Sequence, residues 1–300
     1  MKNVASIDIG SNSVVLSICR KDEGLIEILH KSHITELGKN LKSNNVFEKE
    51  SFENTLAAIE DFKAILDSKN VTSEDIVIIA TEACRRAENR DELFDKIFEK
   101  VAAKVELVTG EKEAELCLLA QKMLYSQINE GVLVDIGGSS TEVIEGSLSG
   151  KSIQPSFVES FKLGVVKLKD LSNSEDPLCV MKKEFSNLPD DFFSNKKVFF
   201  SAGSMTALAS IFLKDNFIDV DKINGLCLGR EFLISEIDKI LDMTDNDLKI
   251  NFPQIISRIN TIKYGAMILK YFLESKCLVD VVFTTYGLRH GALIEKYGDS

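Results

Sequence analysis

SIDIGSNSVVL (residues 6–16) and LVDIGGSSTEVI (133–144) decide the fold of this 300-residue chain. In each, an alternating apolar run delivers an aspartate, the chain turns through Gly and Ser, and a second alternating run leads away. Period-two alternation on both sides of small turn residues reads as a β-hairpin. Asp8 aligns with Asp135, Gly10 with Gly137 and Ser13 with Ser140, an offset of 127 residues. That period is far too long for a solenoid and fits two related half-molecules.

The segments around the two hairpins repeat as well. LIEILH (25–30) supplies a third strand. Phe52, Leu56, Ile59 and Leu66 then recur at helical steps, which predicts a helix. IVIIA (76–80) reads as a buried strand, DELFDKIFEKV (91–101) as a helix, VELV (105–108) as a strand and EKEAELCLLAQKMLYSQI (111–128) as a helix. The order is βββαβαβα. It restarts with strands at 131–137, 140–146 and near 152–161, and a helix near 165–171. KKVFFSAG (196–203) enters a turn as a strand, followed by helices over 204–213, 229–242 and 253–275, a strand at 279–285 and a closing helix at 287–297. Only 4 prolines occur, so no Pro-rich linker marks the boundary, which the spacing puts near 124–130. The expected domains are 1–126 and 127–286, with a closing helix over about 287–300 that packs back on the first.

Composition narrows the setting. A chain of this mass can bury roughly three quarters of its surface, enough for two cores. No apolar run approaches a membrane span, and the amino terminus MKNVASIDIG lacks the apolar stretch of a secretory signal. The expected compartment is the cytoplasm, without a membrane partner. Six cysteines stand singly, with no CxxC pair, and read as buried reduced thiols. Three histidines leave little for a His-based triad or a multi-His metal site. A net charge of −11, from 47 acidic and 36 basic side chains, argues against DNA as a partner. A polyanionic ligand must then be held by local donors and a metal.

Such donors are present. Successive N–H groups in a Gly/Ser turn form an anion-binding nest, so Ser11, Asn12 and Ser13 in the first copy, and Gly138, Ser139, Ser140 and Thr141 in the second, are phosphate-cradle candidates. An ordinary hairpin turn is the alternative for one copy, but two copies, each after an Asp, favour the cradle. Asp135 and Glu142 approach one site across the second hairpin, and an oxygen-only pair of this kind suits Mg2+. ATEACRRAENR (80–90) carries three arginines close together. Arg85 is the candidate phosphate ligand, and Arg86 and Arg90 read as solvated helix residues with i,i+4 pairs. In TGEKEAEL (109–116) the helix dipole accounts for at least two of Glu111, Glu113 and Glu115, leaving one to activate a water.

SIDIGSNSVVL, ATEACRRAEN, GEKEAEL, VDIGGSSTEV, SFKLGVVKL (160–168), FSAGSMTALA (200–209) and TTYGLRHGALIE (284–295), in this order, resemble the exopolyphosphatase/guanosine-pentaphosphate phosphatase (Ppx/GppA) family across nearly the whole chain. The resemblance implies an actin-like, ribonuclease-H-like α/β fold of duplicated βββαβαβα domains with an interdomain cleft. By matching position it makes Glu113 the water-activating glutamate and Asp135 and Glu142 the Mg2+ carboxylates. It puts Asn12, Arg85, Ser140 and Arg258 (in SRINTIKYGAMIL) on phosphate contacts. It implies removal of terminal orthophosphate from a phosphoanhydride chain, either polyphosphate or guanosine pentaphosphate (pppGpp), and a homodimer.

Three positions depart from the family pattern: Ser139 for a glycine, His290 for an acid and Asn260 for an aspartate. The chain also stops after two domains, which predicts a preference for short polyphosphate. A small-molecule kinase of the same superfamily would want an adenosine pocket, and FSAGSMTALA keeps only part of the usual Gly-Gly signature. A polyphosphate or nucleotide sensor without catalysis is the third class.

Overall fold

The computed structural model describes residues 2–41, 45–125, 130–149 and 153–298. The chain divides into two compact units, Met1–Met123 with Gly287–Ser300, and Leu124–Tyr286.

In the first unit, β1 (Lys2–Ile9), β2 (Ser13–Lys21) and β3 (Leu25–Ile34) form an antiparallel meander. Then follow α1 (Lys49–Ser68), β4 (Ile76–Ala80), α2 (Glu82–Arg86), α3 (Arg90–Val101), β5 (Val105–Leu107) and α4 (Gly110–Leu119). The sheet order is β3-β2-β1-β4-β5, with β4 parallel to β1 and to β5. Because side chains alternate along a strand, β1 offers different residues to its two faces. Ala5, Ile7 and Ile9 join Ile59, Phe62 and Leu66 of α1 and Leu93 and Ile97 of α3 in one core. Val4, Ser6 and Asp8 take the other face, where Val4 and Cys19 pack on Leu293 of the closing helix (Leu288–Tyr297). The closing helix lies directly on α4: a Cβ added at Gly291 would stand 1.8 Å from the Leu116 carbonyl oxygen. Only glycine permits that approach.

The second unit repeats the topology. β6 (Gly131–Ile136), β7 (Thr141–Gly146) and β8 (Pro155–Phe161) form the meander. They are followed by α5 (Val165–Leu171), α6 (Pro177–Glu184), β9 (Lys197–Ser201) and α7 (Gly203–Phe212). Next come α8 (Val220–Ile223), β10 (Cys227–Gly229), α9 (Arg230–Asp242) and α10 (Asp245–Asn251). α11 (Ile259–Ser275) and β11 (Asp280–Phe283) complete the unit. Read from β8, the sheet order β8-β7-β6-β9-β11 matches that of the first unit, with β10 added antiparallel at the far edge. Its core is aromatic, with Phe185 4.8 Å from Phe272 and 5.1 Å from Phe161, ring to ring.

Several boundaries differ from the periodicity. α4 ends at Leu119 and tightens into a 3-10 turn over Ala120–Met123, so the helix expected over 111–128 is shorter; residues 126–129, and with them part of the expected boundary, lie outside the described residues. The helix expected over 253–275 begins only at Ile259, because Pro253 opens a 3-10 segment that runs to Arg258. β8 starts at Pro155, three residues after the expected start, and 150–152 lie outside the described residues. Short elements such as α6, α8, α10 and β10 had no periodic signal, although some carry caps legible in sequence. Asp176 caps α6 with Pro at its start, and Thr244 with Asp247 forms a capping box on α10. The cysteines divide: Cys19 and Cys84 are buried, whereas Cys179, Cys227 and Cys277 are exposed, which corrects the expectation of buried thiols throughout.

Candidate active site

The two Gly/Ser turns are built alike. Gly10 N–H donates to the Ser13 carbonyl at 3.0 Å, and Gly137 N–H to the Ser140 carbonyl at 2.9 Å. A Cβ on either glycine would crowd that same carbonyl, at 3.1 Å and 3.2 Å. In each unit the segment after the third strand then locks the turn from below. Gly38 N–H donates to the Ser11 carbonyl at 2.6 Å, and Val166 N–H to the Gly138 carbonyl at 2.9 Å. Both segments carry Leu-Gly, Leu37–Gly38 and Leu163–Gly164, with each leucine buried. The glycines are needed: a Cβ at Gly164 would lie 2.4 Å from the Gly137 oxygen, and one at Gly38 2.8 Å from Ser11 Cβ. This second repeated dipeptide is a signal of the turn brace carried by the sequence itself.

With the Ser11, Asn12 and Gly138 carbonyls engaged by backbone N–H groups, the tips Ser11, Asn12, Gly138 and Ser139 are exposed. Among the described residues, their backbone N–H groups donate to no backbone carbonyl. That arrangement fits an anion nest. Ser139 has no positive φ, so the side chain replacing the family glycine is accommodated without strain. Ser13 and Ser140 are half-buried at the closing position of each turn. Thr141 differs from its sequence assignment. It is fully buried and its hydroxyl donates to the Leu163 carbonyl at 2.6 Å, so its side chain braces the turn instead of facing a ligand.

In the first unit, α4 presents Glu113 one turn after its cap, where the Thr109 hydroxyl accepts from Lys112 N–H at 3.2 Å. Arg85, from α2, donates through Nη1 to the Val108 carbonyl at 2.7 Å and to Glu113 Oε2 at 3.2 Å. The structure thus joins Arg85 to Glu113, each partly exposed. Arg86 pairs with Glu82 at 3.7 Å in the i,i+4 manner, while Arg90 donates to the Arg85 carbonyl at 3.3 Å and contacts Asp91. Glu115 pairs with Lys112 at 3.1 Å, and Glu111 is exposed. Asp8 lies at the end of β1 with Oδ1 buried and, among the described residues, without a hydrogen bond. Burial pushes its carboxyl up to about 7; Arg289 on the closing helix draws it down and Glu113 pushes it further up.

In the second unit, Asp135 and Glu142 are direct cross-strand partners in the β6–β7 ladder. Directly opposed residues share one face of the sheet with their Cβ atoms about 5 Å apart. A serine anchors each carboxylate: Ser201 donates to Asp135 Oδ2 at 2.6 Å, and Ser160 to Glu142 Oε1 at 2.8 Å. After Ser201 the chain turns through Ala202 at φ 79°, an unusual value for a residue with a side chain, and starts α7 at Gly203. The Arg258 guanidinium occupies the space over Gly203, 2.1 Å from where a Cβ would stand, while the residue as a whole is exposed. A guanidinium against a helix N-terminus sets positive charge beside positive dipole, an arrangement suited to an anion. Sequence reading found Arg258 through the resemblance and missed Ser160 and Ser201, whose partners depend on strand register. Asn260 is exposed, and His290 is buried in the first unit.

Residues 17–299 match the Ppx/GppA phosphatase family. The chain belongs to that family. A Ppx/GppA phosphatase crystal structure from Aquifex aeolicus superposes over 99% of this chain and all of its own, with a TM-score of 0.87 and 28% identity. An exopolyphosphatase structure from Cytophaga hutchinsonii, at 20% identity and TM-score 0.76, shares the fold. Family membership and the duplicated topology together establish the duplicated α/β architecture expected from the actin-like resemblance. Among curated relatives, a guanosine-5'-triphosphate,3'-diphosphate pyrophosphatase of Pseudoalteromonas atlantica is 27% identical over 96% of this chain and 57% of its own length. Exopolyphosphatase 2 of Mycobacterium tuberculosis is 30% identical over 59% of this chain and 57% of its own. A bifunctional 3-dehydroquinate synthase/phosphatase of Fusobacterium nucleatum is 30% identical over 73% of this chain and 36% of its own. The chain therefore spans little more than half, or less, of the length of these curated relatives. Among the described residues no helix is long and apolar enough to cross a membrane.

Proposed function

We propose that this chain is an exopolyphosphatase, a phosphoanhydride hydrolase that releases terminal orthophosphate from inorganic polyphosphate. The observation that carries this reading is the β6–β7 hairpin, whose exposed Gly138–Ser139 tip and opposed Asp135–Glu142 pair offer anion donors and hard oxygen ligands together. Glu113 is the proposed general base. It takes a proton from a water whose oxygen bonds to the terminal phosphorus, while the bridging P–O bond breaks and its electrons leave with the shortened chain. Arg85 Nη1 is committed to Val108 and Glu113, which fixes that carboxylate; within the first unit we assign its remaining nitrogens and the Ser11–Asn12 tip to phosphate oxygens. Short chains are the proposed preference.

Asp135 and Glu142 are the donor set proposed for Mg2+. Among the described residues no cluster of three or more His, Cys, Asp or Glu side chains is gathered for a metal. Two opposed carboxylates, each oriented by a serine, fit a cation that keeps several waters and takes one or two protein carboxylates. Bound there, Mg2+ would supply charge neutralisation for the phosphate oxygens. The six singly placed cysteines favour a reducing cytoplasm.

A second reading is hydrolysis of guanosine pentaphosphate, favoured by the relative named for that nucleotide, which covers 96% of this chain. Phosphate release from polyphosphates of graded length beside pppGpp, with and without Mg2+, tests both. Release from short polyphosphate at higher kcat/KM than from pppGpp supports the first, the reverse order supports the second, and release from neither overturns the hydrolase reading.

A further inference from the structure

Asn89 stands at the N-cap of α3, where an asparagine side chain ordinarily accepts from the helix's own free N–H groups. It makes no such bond. Its amide reaches 42 residues back along the chain instead: Oδ1 accepts from Phe47 N–H at 2.9 Å, and Nδ2 donates to the Phe47 carbonyl at 3.5 Å. Beside this clamp, Glu88 N–H donates to the Asn45 carbonyl at 2.8 Å. The helix gives up a stabilising cap so that this side chain can hold a remote piece of backbone.

Both sides of the clamp lead to groups assigned to phosphate. On one side, Arg85 precedes Asn89 in the same stretch, and Arg90 donates to the Arg85 carbonyl at 3.3 Å. On the other, backbone hydrogen bonds run back to the first turn: Asn45 N–H to the Leu41 carbonyl at 3.0 Å, Leu41 N–H to the Gly38 carbonyl at 3.3 Å, and Gly38 N–H to the Ser11 carbonyl at 2.6 Å. Thr35 and Glu36 N–H groups both donate to the Asn12 carbonyl at 3.0 Å. Glu36, Asn40 and Asn45 on this path have φ of 51°, 52° and 53°. Left-handed backbone at residues with side chains persists only where the surroundings over-determine it. Here the Ser51 hydroxyl donates to the Glu36 carbonyl at 3.0 Å and Asn40 Nδ2 to Glu48 Oε1 at 2.7 Å. Leu37, Leu41 and Phe47 are buried in the same core as Ala83, Cys84 and Ala87.

We propose that Asn89 is a positioning residue of the phosphate site: its side chain fastens the segment that braces the Ser11–Asn12 turn to the segment that carries Arg85, so that turn and guanidinium keep one register. This rests on the phosphate roles given to that turn and to Arg85. The buried leucines hold the segment in the core without Asn89, but the clamp fixes where the turn stands.

The test is steady-state phosphate release from tripolyphosphate at saturating Mg2+, with hydrogen exchange measured on the same proteins. Asn89→Ala and Asn89→Ser both lose the reach to Phe47, although serine remains a good cap. Each is expected to raise KM by roughly tenfold or more while kcat changes much less. Each should also speed amide exchange over residues 35–38 and leave β1 and β4 unchanged. Asn89→Asp keeps the acceptor for Phe47 N–H and is expected to restore most of the wild-type KM. A serine variant with the wild-type KM, an aspartate variant no better than alanine, or unchanged exchange over 35–38 overturns the proposal. Should Asn89→Ala not fold, the serine and aspartate variants decide it by the same readings. If the wild-type chain releases phosphate from neither tripolyphosphate nor pppGpp, the hydrolase reading fails; exchange over 35–38 then decides alone, faster in Asn89→Ser supporting the clamp and unchanged overturning it.

Discussion

Asp135 and Glu142 stand opposite each other in the β6–β7 ladder, and a serine from each flanking strand holds one oxygen of each, Ser201 on Asp135 and Ser160 on Glu142. Outer hydroxyls of this kind fix the direction of a ligand oxygen, and their loss typically weakens metal binding ten- to hundredfold. Ser201→Ala should therefore raise the Mg2+ concentration giving half-maximal phosphate release by roughly tenfold or more. Titration of activity with Mg2+ checks this. An unchanged midpoint would remove Asp135 from the metal set.

Gly291 lets the closing helix lie on α4, with the Leu116 carbonyl oxygen only 1.8 Å from where a Cβ would be. Backbone cannot yield as a flexible side chain can. Gly291→Ala should cost about 1–3 kcal/mol, the usual range for overpacking, and urea unfolding would show the midpoint falling with the slope unchanged.

His290 and Asp8 give stability opposite pH slopes. Burial, with the nearby Arg289 charge, lowers His290 from 6.5 to about 4 despite Glu27, so its contribution is full above pH 6.5 and is lost as pH falls toward 4. Burial raises Asp8 from 3.8 to about 7, so its contribution is full below pH 3.8 and is lost as pH rises toward 7. In Glu27 burial is outweighed by His290 and Ser17, leaving it at about 2 instead of 4.5; its contribution is lost only below pH 4.5. Between pH 4.5 and 6.5 the first two slopes oppose. His290→Gln should leave stability that declines with rising pH in this window, and Asp8→Asn stability that climbs, each by on the order of 1–3 kcal/mol. Chemical denaturation across pH 4–7 reads both. Parallel curves for the two variants would contradict the assignment.

The turns were legible because Gly and Ser mark them twice at one offset, and the strand order follows from alternation around them. What stayed hidden depends on register and on distant contacts. Thr141 looks like its neighbours in sequence, yet the pleat turns it inward to Leu163. Ser160 and Ser201 are unremarkable strand residues until the ladder sets them beside Glu142 and Asp135. His290 meets Glu27 only because the end of the chain returns to the first unit. β10, three residues ending in glycine, is too short to alternate.

The proposed role of Glu113 is to activate the attacking water. Glu113→Gln keeps the shape and a hydrogen-bonding oxygen for Arg85 while removing the base. Steady-state phosphate release from short polyphosphate at saturating Mg2+ should show kcat falling by at least about a hundredfold with KM little changed. A variant that keeps the wild-type kcat would contradict the account.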